Sequence, residues 1–134
     1  MDSSRLVSVP LFADLSRRDL KAVARHADEV QLANGSKIVE QGRLAYELFV
    51  IQSGTADVLV DGEVIARMGP GDVVGEIGVL QTHLRTATVV ATSPVDAIVM
   101  YGPELTALTQ SLPGVLTELE RLIAERTGSG QKGL

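Results

Sequence analysis

Glu76 and Arg85 are the residues of this chain best equipped for chemistry, and they stand nine positions apart in the stretch GEIGVLQTHLRTATV, residues 75–89. A carboxylate set between glycines can accept hydrogen bonds from hydroxyl groups. A guanidinium followed by Thr86 and Ala87 can fork two bonds onto one phosphate. Gly75 and Gly78 let a ligand approach the backbone closely. Residues Ile77 to Leu80 predict a single helical turn, whose first N–H groups, at Ile77 and Gly78, lack intrahelical partners and carry the positive end of the peptide dipoles. The combination suits a small sugar phosphate. A nucleoside triphosphate would require a longer glycine loop with a lysine and a metal, and the sequence has no such loop. The competing reading is a structural ion pair between Glu76 and Arg85 in a turn.

Other candidates are few. With no cysteine and two histidines, thiolate metal sites and disulfides are excluded, and neither His26 nor His83 has a His, Asp or Glu neighbour at metal-ligand spacing. No metal is expected, and no cofactor. His26 reads as the end of a surface helix and His83 as a loop residue. Tyr46 and Tyr101 read as interior or edge strand residues. The formal charge of −5 and the pI near 4.9 oppose nucleic-acid binding by this chain, because nonspecific binding rests on many Lys and Arg contacts with phosphates. No apolar run approaches the roughly 18–20 residues that a membrane span needs, and residues 1–9 do not resemble a signal peptide. A cytoplasmic location is the expectation.

Positioning these residues falls to a mainly β domain. Ser16 precedes a charged turn, and Leu15, Leu20, Val23, Ala24 and Ala27 follow helical spacing, which predicts an amphipathic helix from Arg17 to Ala27. Beyond it the pattern changes to short apolar runs: VQLA, KIVEQG, ELFVIQSG, TADVLVDG, EVIARMG, TATVVATS and VDAIVMYG. Strand pattern resumes after the glycine-rich stretch at Arg85. Asp61-Gly62 is the strongest hairpin signal, because a two-residue type I′ turn needs positive φ at both centres. About eight short strands at this spacing predict a β-sandwich or barrel of jelly-roll type, flanked by the N-terminal helix and by C-terminal helices that open at Pro103 and Pro113. In the last helix Val115, Leu116, Leu119, Leu122 and Ile123 form an apolar stripe that packs on the sandwich or makes a homodimer surface. One domain over 1–127 and a flexible tail over 128–134 complete the expectation.

From Val9 to Thr127 the chain resembles a cyclic nucleotide-binding domain. The likeness rests on VPLFADLS before the first helix, on IVEQG and LFVIQSG in the early strands, and above all on GEIGVL followed by RTATV. The resemblance implies a regulatory module whose ligand is cAMP or cGMP. It assigns the cyclic phosphate to Arg85, Thr86, Ala87 and Gly78, the ribose hydroxyl to Glu76 with Gly75 and Ile77, and the purine to the apolar Val58 and Ile65 of the hairpin. Two departures stand out. Leu84 occupies a position where many members have proline, and ERTGSG ends the last helix near Thr127, where the family lays a lid over the base. Thr86 suits either nucleotide.

Three function classes follow. The first is a sensor in which cyclic nucleotide tightens the cassette and shifts the C-terminal helices, passing the change to an effector domain or protein partner. The second is an enzyme on a jelly-roll scaffold such as a cupin, which needs the clustered metal ligands that this sequence lacks. The third is a ligand-free domain acting through protein contacts. The paired Glu76 and Arg85 favour the sensor, and no catalytic residue is assigned.

Overall fold

The computed structural model describes residues 1–7, 9, 12–74, 84–114, 117 and 121. A 3-10 turn, Ser3–Leu6, precedes helix α1, Arg17–Arg25. Eight strands follow: β1 Asp28–Leu32, β2 Lys37–Val39, β3 Glu47–Ser53, β4 Ala56–Val60, β5 Glu63–Met68, β6 Val73–Val74, β7 Thr88–Ala91 and β8 Val95–Tyr101. Helix α2, Gly102–Ser111, comes next, with Pro103 in its first turn, where a missing N–H is harmless.

The strands form two four-stranded antiparallel sheets, ordered β1-β8-β3-β6 and β2-β7-β4-β5. Burial explains why β3 and β8 read as unbroken apolar runs: both faces of their sheet are covered. Leu48 and Val50 of β3, with Ile98 and Met100 of β8, pack against Leu6, Phe12, Val23, Leu105 and Leu108 of the helical layer. The alternate residues Phe49, Ile51, Ala97 and Val99 meet Ile38, Val58, Val74 and Val89 between the sheets. Among the described residues the second sheet is covered on one side, and β5 leaves Glu63, Val64, Ile65 and Arg67 exposed and reads as a half-buried strand.

Local chemistry sets the ends of these elements. Ser16 caps α1, its Oγ accepting from the Asp19 N–H at 3.1 Å, and the helix stops at Arg25, two residues short of the expected Ala27. The hairpin turn is as the sequence predicts: Asp61 has φ 51° and Gly62 φ 84°, the left-handed pair that a type I′ turn requires.

Three expectations need correction. The strand after the glycine-rich stretch begins at Thr88 rather than Arg85. Strand β6 escaped the pattern, because two valines between glycines carry no periodicity; it exists through pairing of Val73 and Val74 with Val50 and Phe49. Tyr46 lies before β3 and is exposed, and Tyr101, the last residue of the central strand β8, is also exposed. His26 is the C-cap of α1 as expected, and its Nδ1 lies 2.5 Å from Glu104 Oε2, tying α1 to α2. The expected apolar stripe of the last helix and the tail over 128–134 lie outside the described residues.

Candidate ligand-binding site

Arg85 is the buried charge of the described residues, 4% exposed. Two main-chain bonds hold it although it is not in a strand: its N–H donates to the Arg43 carbonyl at 2.7 Å, and its carbonyl accepts from the Gly42 N–H at 3.0 Å. Leu84 bridges to Leu44 just before it. The turn between β2 and β3 thus grips Arg85 on both sides, and the guanidinium donates through Nη2 to the Glu47 carbonyl. A buried guanidinium anchored by its own backbone keeps its direction, which is the preorganisation that anion recognition requires.

Arg85 borders an open cavity of about 540 Å³, lined also by Lys37, Glu40, Arg43, Tyr46 and Glu47. The volume lies within the roughly 300–1,000 Å³ typical of small-ligand sites. At its rim Lys37 Nζ and Arg43 Nε stand 3.7 Å and 3.9 Å from the two oxygens of Glu40. Among the described residues the lining sets the cations Lys37, Arg43 and Arg85 beside the carboxylates of Glu40 and Glu47.

The other site residues named from the sequence are placed as follows. Thr86 is exposed next to the buried Arg85, and Ala87 is buried in the core between the sheets. Val58 joins that core, fully covered, and pairs with Ala66. Ile65 falls beside the register shift between Val58 and Leu59 and is 51% exposed. Val58 and Ile65 are not on the cavity that Arg85 borders. Gly75, Glu76, Ile77 and Gly78 lie outside the described residues, as does His83.

What the sequence reading missed is the turn behind the arginine. Gln41 donates its backbone N–H to Thr88 Oγ1 at 3.0 Å, and its side chain makes a reciprocal pair with Asp61: Nε2 donates to Oδ1 at 2.9 Å, and Oε1 accepts from the Asp61 N–H at 3.0 Å. The sequence marks Gln41-Gly42 as a turn, but no local signal says that it meets residues 20 and 47 positions away. Among the described residues no group of three or more His, Cys, Asp or Glu is placed to hold a metal ion, and no helix is long and apolar enough to cross a membrane.

Comparison with known proteins decides the family, because the sequence model of the cyclic nucleotide-binding domain matches residues 29–111, more than half of the chain and both sheets. The chain belongs to the cyclic nucleotide-binding domain family. It is 32% identical over 84 residues to the cAMP-dependent protein kinase regulatory subunit of Yarrowia lipolytica, covering 63% of this chain and 22% of that protein. It is 42% identical over 88 residues to an uncharacterized protein of Mycobacterium tuberculosis, covering 66% of this chain and 17% of that one. The crystal structure of the Thermus thermophilus catabolite activator protein superposes with a TM-score of 0.81 at 26% identity, over 90% of this chain and 59% of that chain. The chain spans 17% to 31% of the length of the curated relatives it matches. The two sheets and flanking helices are those of this cyclic nucleotide-binding family, whose members serve as regulatory signalling modules.

Proposed function

We propose that this domain binds a 3′,5′-cyclic nucleotide, cAMP before cGMP, with the cyclic phosphate on Arg85 and the ribose hydroxyl on Glu76. The observation that carries the reading is Arg85 itself: a buried guanidinium, fixed through its backbone to Gly42 and Arg43, at the edge of an open cavity. A cyclic monophosphate carries one negative charge, which a single buried arginine can answer. The preference for cAMP draws on the kinase regulatory subunit that the chain resembles. Thr86, exposed beside Arg85, takes a phosphate oxygen. Gly78 and Ile77 add backbone donors, and the β4–β5 hairpin forms the base side through the exposed Ile65, with Val58 supporting it from the core between the sheets.

The relay runs through α2. The Gly102 N–H, at the start of that helix, donates to the Tyr46 carbonyl at 2.8 Å, and Tyr46 borders the same cavity as Arg85. A ligand that draws residues 43–47 toward the phosphate therefore pulls on the first turn of α2, and Leu105 and Leu108 transmit the displacement to the helical layer. An effector domain or protein partner reads that displacement; the domain itself carries no reaction.

Calorimetric titration with cAMP and cGMP tests the assignment. A Kd in the micromolar range is expected for cAMP, and Arg85→Ala weakens it about 30-fold or more, the equivalent of roughly 2 kcal/mol for a lost charge-assisted contact. Equal affinity in the folded variant would remove Arg85 from the site. The absence of heat with both nucleotides for the unchanged chain would remove the function.

A further inference from the structure

Gln41 is tied to three parts of the fold at once. Its backbone holds Thr88, the first residue of β7, and its side chain holds both the N–H and the carboxylate of Asp61 at the tip of the β4–β5 hairpin. The next two residues, Gly42 and Arg43, grip the backbone of Arg85. Three consecutive residues of one turn therefore connect the hairpin tip to the buried arginine, although hairpin and arginine lie on separate stretches of chain.

The chemistry of the contact is specific. A carboxamide offers one donor and one acceptor side by side, and Asp61 presents the complementary pair, a carboxylate oxygen and its own N–H. Asp61 is also the residue that the turn holds at φ 51°, so its N–H has a fixed direction. Gln41 is only partly exposed, and both side-chain bonds fall within 3.0 Å. Beyond its core packing through Val58 and Met68, the hairpin among the described residues is paired to its sheet along one edge, β4 with β7, while β5 lies at the outer edge. Among the described residues, the side chain of Gln41 makes the hydrogen bonds that join the hairpin tip to the turn gripping Arg85.

We infer that Gln41 is a positioning residue for ligand binding: it fixes the distance between the hairpin, which forms the base side, and Arg85, which takes the phosphate. The inference rests on the function proposed above and assigns no ligand contact to Gln41 itself. It explains how a site whose two halves come from different sheet regions keeps one geometry, since a pocket held to about 1 Å by supporting side chains loses affinity when that support is removed. A ligand that spans both halves depends on Gln41. A ligand that engages only the phosphate half does not.

That difference is the test. cAMP and ribose 3′,5′-cyclic phosphate, which lacks the base, are titrated into the unchanged chain and into Gln41→Ala, Asp61→Gly and Asp61→Asn. Asp61→Gly keeps the positive φ and removes the carboxylate; Asp61→Asn keeps an acceptor oxygen. The expected result is a three- to tenfold loss of cAMP affinity in Gln41→Ala and in Asp61→Gly, a double variant no weaker than the weaker single, near-complete rescue in Asp61→Asn, and base-free affinity within twofold throughout. A role confined to stability would lower the melting temperature and leave both affinities of the folded protein unchanged, which overturns the inference. Parallel losses for both ligands overturn it too, because they place the effect at the phosphate. Should Gln41→Ala fail to fold, the Asp61 pair decides alone. No binding of cAMP by the unchanged chain overturns the function itself, an outcome distinct from all of these.

Discussion

Gly54 is a described position where a single methyl group should do severe damage. It joins β3 to β4 with φ +92°, and a Cβ built there would stand 2.2 Å from the Pro94 carbonyl oxygen and 3.0 Å from the Val95 Cα. Both are backbone atoms at the start of the central strand β8, so no side-chain rotation relieves the contact. Gly62 provides the control: its φ is +84°, and nothing lies within 4 Å of the added carbon. For Gly62→Ala the left-handed backbone costs about 1–2 kcal/mol, less about 0.4–1 kcal/mol from the stiffer unfolded chain, a net loss near 1 kcal/mol. Gly54→Ala carries the same balance and must also displace β8, an overpacking penalty of about 1–3 kcal/mol. Its total is about 3 kcal/mol, or roughly 10 °C in Tm for a domain of this size. Urea and thermal unfolding of the two variants side by side measure the difference. If they lie within about 0.5 kcal/mol of each other, the carbonyl of Pro94 is not where the steric reasoning requires it.

The remaining predictions concern helix and turn termini. Ser16→Ala removes the acceptor for the Asp19 N–H and should lower stability by about 1 kcal/mol, read as a shift of the urea midpoint at unchanged m, with Ser16→Asp restoring it. The Asp2 carboxyl is held below its ordinary value of 3.8 by hydrogen bonds from the Ser4 N–H and hydroxyl, which cap the first 3-10 turn. A depressed folded pKa means that the contribution is fully present above that ordinary value and is lost as pH falls through the lower folded one. Asp2→Asn should therefore be slightly less stable than the unchanged chain at pH 7, and the gap should close in acid; a gap that is constant with pH, followed by thermal unfolding, would refute the assignment.

How far the sequence discloses the fold depends on whether a signal is local. The β4–β5 hairpin is legible because Asp61-Gly62 settles its backbone within two residues. Helix α1 is legible because Ser16 and the spacing of Leu20, Val23 and Ala24 agree. The runs of β3 and β8 identify strands, yet they do not say that Leu48 and Val50 face helices while Phe49 and Ile51 face the opposite sheet; that division exists only once two layers assemble. Strand β6 illustrates the limit, since two residues acquire strand geometry entirely from Phe49 and Val50 across the ladder.

The candidate site divides along the same line. Arg85, Thr86 and Ala87 are visible as a motif because their types and spacing lie within one short stretch, and the family assignment agrees with that motif. The supports of Arg85 are invisible there: Gly42, Arg43 and Glu47 reach it across about forty residues, by backbone groups that every residue possesses. A main-chain carbonyl leaves no mark on residue type, so a sequence pattern can name the candidate anion-binding side chain and remain silent about what aims it. The aiming sets affinity. A flexible arginine on this surface would form a phosphate contact and lose much of its value to ordering, whereas one gripped at its N–H and carbonyl by a turn, and at its guanidinium by Glu47, would meet the proposed ligand with little left to order. On the proposed function, residues of undistinguished type such as Gln41 and Gly42 would tune binding through the position they give the motif, with a smaller effect than loss of Arg85 itself.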